Sequence, residues 1–181
     1  MVVERLFLAV VLTEDARHAL AARIRDGTRV LPGRPVRPQN WHLTLRFLGD
    51  VDGPGYDRLL AALDEADLGE HFRVRLGGLG AFPKPSRATV LWVDFAQGKD
   101  RLADLAARVE QAVEIAGLPG EDRPFRAHLT LSRIRPPQDV RRFLEEVGPL
   151  GIGWGVDRVV LYRSHLGPGG PRYEEMAVFA L

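Results

Sequence analysis

Cysteine is absent from this 181-residue chain, which excludes disulfides, thiolate nucleophiles and cysteine-ligated zinc together. No run of about 18 apolar residues occurs either, so no membrane partner is expected and the location expected is cytoplasmic. The opening apolar run, residues 6–12, follows Glu4 and Arg5 and precedes no small-residue cleavage site; it reads as a strand and not as a secretory leader. Charge of one sign is scarce too: 25 Lys and Arg against 24 Asp and Glu leave a net +1. That balance argues against extensive contact with a nucleic-acid backbone and leaves room for a local basic patch. Lysine is nearly missing, since only Lys84 and Lys99 are not arginine among the 25 basic residues. The bias suits phosphate recognition but equally suits any surface ion pair. Apolar content of 45% and charged content of 27% fit one folded domain with a full core, and a monomer is the default expectation.

What the chain does have is one tetrapeptide twice, His42-Leu43-Thr44-Leu45 and His128-Leu129-Thr130-Leu131. A Leu-rich chain repeats short words by accident, so the repeat gains weight from its histidines. The chain holds five (His18, His42, His71, His128, His165), and two of them share one setting. In an extended strand successive side chains point to opposite faces, so each His shares a face with its Thr while the leucines take the other. Around the first copy, Trp41, Leu43, Leu45 and Phe47 make an apolar row, and Asn40, His42, Thr44 and Arg46 a polar one.

The rest reads as two rounds of strand, helix, His strand, helix, strand. In the first round these are residues 5–12, a helix from Thr13 ending near Gly27, the first His strand, a helix over 54–68, and a strand over 71–79 closed by a turn at Gly77, Gly78 and Gly80. The second round has a strand over 88–95, a helix over 99–116, the second His strand over 125–134, a helix over 136–147 and a strand over 156–164; a last strand follows over 173–181. Loops rich in Pro and Gly, 31–39 and 117–124, lead into the two His strands. The expected architecture is a single α+β domain, residues 1–181. Its two similar lobes, related by a pseudo-two-fold axis, meet near residues 80–88. Antiparallel sheets line a central cleft holding His42 and His128, with helices outside.

Two imidazoles in one cleft supply a base and an acid at the same pH, which hydrolysis needs. The paired hydroxyls of Thr44 and Thr130 suit the non-bridging oxygens of an anionic, tetrahedral centre. A zinc site would want a third ligand, and neither His strand carries Asp, Glu or a second His within reach. No Gly-x-Ser-x-Gly elbow occurs, and the glycines at 167–170 lack the Lys-Ser/Thr of a phosphate loop. His18 reads as a surface residue, His71 as structural, and His165 as a histidine at the edge of a loop that a substrate could reach.

These residues resemble the two-histidine (2H) phosphoesterase superfamily, and within it the RNA 2′,3′-cyclic phosphodiesterases, also called bacterial 2′-5′ RNA ligases. The likeness runs through Arg5-Leu6-Phe7-Leu8-Ala9, Trp41 to Gly49, Gly80-Ala81-Phe82-Pro83, Leu91-Trp92-Val93, the second motif to Arg133, and Leu161 to Leu166. It implies a hydrolase without metal or cofactor that opens 2′,3′-cyclic phosphates on RNA ends or nucleotides, leaving a 2′-phosphomonoester. It also implies His42 as general acid, His128 as general base, and Thr44, Thr130 and Arg133 as phosphate ligands. 2′-5′ RNA ligation would be a side activity. Strand parity places Arg133 on the Leu129–Leu131 face, reaching the cleft only through a bulge or the strand's end, and favours Arg46 and Arg126 instead. The alternative reading is a non-catalytic module that binds RNA ends.

Overall fold

Thr13 and Asp52 begin the first two helices by local chemistry. The Thr13 hydroxyl accepts the Ala16 N–H at 3.3 Å, and the Asp52 carboxylate accepts the Gly55 N–H at 2.8 Å, each satisfying a donor the helix cannot. The structure is a computed structural model that describes residues 3–25 and 30–181. In chain order the elements are β1 (Val3–Val11), α1 (Glu14–Arg25), β2 (Arg34–Pro35), β3 (His42–Asp52), α2 (Gly53–Glu65), β4 (Phe72–Phe82) and β5 (Ala88–Gln97). There follow α3 (Lys99–Ile115), β6 (Leu129–Gln138), α4 (Arg141–Val147), β7 (Gly153–Val156), β8 (Arg158–His165) and β9 (Arg172–Ala180). The predicted end of the first helix near Gly27 lies outside the described residues.

The strands form two antiparallel sheets, ordered β3-β1-β8-β9 and β2-β6-β5-β4-β7. Each half of the chain gives a strand to the other's sheet: β4 lies beside β5, and β8 beside β1. The two halves are therefore interleaved, and residues 80–88 fall in the hairpin region joining β4 to β5 within one sheet. A single hydrophobic core joins Leu6, Leu8 and Leu43 to Leu91, Leu129 and Leu131, with Leu59 and Leu63 of α2 and Leu102, Leu105 and Val109 of α3 packed into it. Among the described residues no helix is long and apolar enough to cross a membrane.

Four predicted elements are corrected. β4 does not stop at its glycines but runs through them to Phe82 with a shift of register between Leu76 and Leu79. Gly80 is a packing glycine: a Cβ there would lie 2.4 Å from Cζ2 of Trp92. The helix expected from Pro136 begins only at Arg141, and β6 continues through Pro136 and Pro137 to pair Gln138 with Ala88. A proline holds the residue before it out of the helical region, so Pro-Pro extends the strand. The second His strand, expected over 125–134, starts only at Leu129, so His128 stands one residue ahead of it; the strand expected over 156–164 is β8, with Val156 instead ending β7 in the other sheet.

Candidate active site

Each motif sits at or just before the start of a strand that pairs with the first strand of its half, β3 with β1 and β6 with β5. Immediately after each Thr comes a bulge. Thr44 faces Ala9 and Arg46 faces Leu8, leaving Leu45 as the extra residue; Thr130 faces Trp92 and Ser132 faces Leu91, leaving Leu131 as the extra one. A one-residue shift reverses the facing of all that follows. Arg46 and Ser132 are thus buried, at 8% and 0% exposure, while Phe47 and Arg133 line the cleft.

Strand parity therefore misplaces Arg46. Arg46 pairs with Glu110 of α3 at 2.5 Å and with Glu121 at 3.7 Å, and donates to the carbonyls of Phe47 and Pro119. It braces β3 against the loop that leads to His128. Arg126 spreads over the rings of Phe82 and Trp92, at 5.2 and 5.1 Å, and lines an adjoining pocket with Thr44 and His128. Arg133 reaches the cleft by the bulge.

The two histidines are oriented alike. Nδ1 of His42 donates to the Asn40 carbonyl at 2.7 Å, and Nδ1 of His128 to the Arg126 carbonyl at 2.8 Å, in both cases two residues back along the chain. A carbonyl only accepts, so Nδ1 carries the proton and Nε2 is the atom left for proton transfer. Their surroundings differ. His42 packs against Phe7 and Tyr173, with ring centroids 4.8 and 5.2 Å away, and its Nε2 lies 3.0 Å from the Thr44 hydroxyl. Burial lowers its pKa below the ordinary 6.5; the Asn40 carbonyl opposes this, and the charge of His128 adds to it. His128 meets Phe82 and Trp92 edge to face, at 5.7 and 6.2 Å.

Both histidines, both threonines and Arg133 line one cleft of ≈ 600 Å³. Its walls also carry Arg5, Arg34 and Arg37 and, among the described residues, no carboxylate. Of these, Arg5 was legible by parity with Phe7 on β1, whereas Arg34 and Arg37 lie in a Pro-rich stretch without periodicity. The remaining histidines are elsewhere. His165 pairs with Glu174 at 2.7 Å and does not line the cleft, His18 is exposed on α1, and His71 is exposed ahead of β4. Among the described residues no three His, Asp or Glu side chains are grouped to hold a metal ion.

Interleaved antiparallel sheets around a cleft with two matched His-x-Thr motifs define a two-histidine phosphoesterase. The family model for LigT-like phosphoesterases matches twice, over residues 13–92 and 93–173, and the chain belongs to this family. An RNA 2′,3′-cyclic phosphodiesterase of Thermus thermophilus is 39% identical over 189 residues, covering 98% of this chain and 90% of that one. One from Aeropyrum pernix is 34% identical over 161 residues, covering 86% and 91%. Among solved structures, Escherichia coli LigT complexed with 3′-AMP matches with a TM-score of 0.80 at 26% identity over 99% of both chains. TT0787 of Thermus thermophilus matches at 0.76 with 33% identity, over 98% and 97%.

Proposed function

We propose that the protein hydrolyses 2′,3′-cyclic phosphodiester ends of RNA to 2′-phosphomonoesters, without a metal, by acid–base catalysis between His42 and His128. The observation that carries this reading is a cleft whose described lining combines both His-x-Thr pairs with four arginines and no carboxylate. Such a lining attracts an anion and offers it a proton donor and a proton acceptor. The names of the relatives support the same substrate class.

The Thr44 hydroxyl lies within hydrogen-bond reach of Nε2 of His42, at 3.0 Å. A cyclic phosphate entering between the motifs takes over the Thr44 and Thr130 hydroxyls through its non-bridging oxygens, with Arg133 adding charge. Nε2 of His128 then removes a proton from a water whose oxygen bonds to phosphorus. The P–O3′ bond opposite breaks, and O3′ keeps the electron pair and receives the proton of His42. Each transfer contributes on the order of 10² to 10⁴ in rate, and a preorganised donor to the phosphate about 3 kcal/mol more. An RNA 5′-hydroxyl in place of water yields a 2′-5′ linkage, so ligation is a side activity of the same site.

The test is incubation of the purified protein, in excess EDTA, with an RNA oligomer ending in a 2′,3′-cyclic phosphate, followed by identification of the product isomer. A 2′-phosphate is expected. A 3′-phosphate would overturn the choice of leaving group, and tight binding without turnover would make the protein an RNA-end-binding module.

A further inference from the structure

We propose that Arg34, the register partner of Arg133, carries a second phosphate site beside the cyclic phosphate that Arg133 serves, for the phosphate on the 5′ oxygen of the terminal nucleoside, so that the enzyme favours ends bearing that phosphate over a lone nucleoside 2′,3′-cyclic phosphate. The proposal rests on the cyclic phosphodiesterase reading above.

Arg34 of β2 and Arg133 of β6 are register partners, directly opposite across the ladder. Like charges so placed destabilise a sheet unless something between them is negative. Among the described residues no carboxylate lines this cleft. Elsewhere the pattern is the reverse: Arg46, Arg108, Arg123, Arg141 and Arg163 each hold a carboxylate.

The chain is shaped to keep β2 against β6. Gly33 has φ +77, and a Cβ there would stand 2.5 Å from the Arg133 carbonyl oxygen, so only glycine lets β2 come this close to β6. Val36 N–H, on the other side of Arg34, donates to the carbonyl of the bulged Leu131 at 2.7 Å. Arg34 is thus held between two anchors to the strand that carries His128's motif. Over it lies the 167–171 turn: a Cβ on Gly170 would be 3.5 Å from an Arg34 terminal nitrogen, and Asn40 donates to the Pro171 carbonyl at 2.9 Å, tying that turn to the residues just before His42.

Geometry and covalent chemistry together select the ligand. The cyclic phosphate occupies the 2′ and 3′ oxygens of the terminal nucleoside between the two motifs. The substrate continues only through the 5′ oxygen, so a second anion in the same cleft is the phosphate there. It belongs either to a free 5′-monophosphate or to an internucleotide linkage.

Three substrates separate these cases: adenosine 2′,3′-cyclic phosphate, its 5′-phosphorylated form, and the dinucleotide ApA with a terminal cyclic phosphate. Wild-type kcat/KM is expected to be at least about tenfold higher for the second or third than for the first, the size of a charge-assisted contact. If both gain, the ligand is the 5′-phosphate itself; if only the dinucleotide gains, it is the internucleotide linkage. Arg34→Gln should bring the ratio close to one, and Arg34→Lys should restore part of it. For the dinucleotide, the slope of log kcat/KM against log salt should become shallower by about 0.7, one phosphate contact. Gly33→Ala removes no charge yet should lower the ratio too, by pushing β2 off β6. A wild-type ratio of one, or a ratio unchanged by Arg34→Gln, overturns the second site while leaving the hydrolase intact. Absence of turnover on all three overturns the hydrolase reading, and this proposal with it.

Discussion

The two histidine strands share a tetrapeptide and a bulge, yet the residues after the bulge differ in kind. On β3 the buried position is Arg46 and the cleft position Phe47; on β6 they are Ser132 and Arg133. One wall of the cleft is consequently aromatic, with Phe47 and, packed against His42, Phe7 and Tyr173. The other is basic, with Arg133 and Arg34 beyond Thr130. Where β3 lacks a cleft arginine of its own, Arg5 of the neighbouring strand lies over the Phe47 ring at 5.0 Å. A duplicated frame thus holds two histidines in unlike surroundings, one enclosed and one facing the charged side. That asymmetry is what an acid and a base of the same residue type require.

The strongest way to break the comparison is to remove each histidine. His42→Ala and His128→Ala are each expected to lower kcat/KM for the cyclic phosphate by about 10² to 10⁴, with the double variant little worse than the more damaging single one. Fully multiplicative losses would mean that the two rings act independently. A large loss from only one of them would reduce the other to a structural role.

Next in size is the pair of buried residues behind the bulges. Arg46→Ala leaves Glu110, itself 24% exposed, beside an emptied guanidinium site, and should cost about 3 kcal/mol of stability, the low end of the range for a broken buried pair. Ser132 is fully buried with a hydroxyl that has no hydrogen-bond partner among the described residues, so Ser132→Ala should fall within about 0.5 kcal/mol of wild type or stabilise. Urea denaturation midpoints decide between the two positions. Equal losses would show that the Arg46 brace contributes nothing beyond its packing volume.

A nearly continuous apolar run made β1 legible, alternation the motif faces, and Thr13 marked its helix, because these are set by neighbours in sequence. The bulges were not legible. Whether Leu45 and Leu131 are paired or extruded is decided by the strands opposite and, at Leu131, by the Val36 N–H arriving from a distant loop. From that one fact follow the error on Arg46 and the correct condition on Arg133; Arg126 lies ahead of β6, where strand parity does not apply. The glycines of β4 read as a turn because the ring that fills the space at Gly80, Trp92, belongs to the next strand. Arg34 was missed because two residues of strand in a Pro-rich loop have no period to detect. The motif pair was readable for the opposite reason: its chemistry is carried by residue identity, and only its placement needs the fold.

The smallest expected effect is a displacement along the pH axis, and it bears most directly on which histidine is the acid. Burial holds the folded-state pKa of His42 below 6.5. A general acid works only while protonated, so kcat/KM, which reports the free enzyme, should fall as pH rises through this lowered value. In the complex the bound phosphodiester anion favours imidazolium and moves the limb upward, so the alkaline limb of kcat should lie at higher pH than that of kcat/KM. Folding carries the same sign. Unfolded chains bind the His42 proton more readily than folded ones, so the stability contributed by neutral His42 is present above pH 6.5 and is lost as pH falls from there through the folded-state value. His42→Gln should abolish that part of the pH dependence. Titration of the ring carbons by NMR identifies the residue behind each limb. If His42 instead titrates with the acidic limb of kcat/KM, it acts as the base, and the roles of the two strands are exchanged.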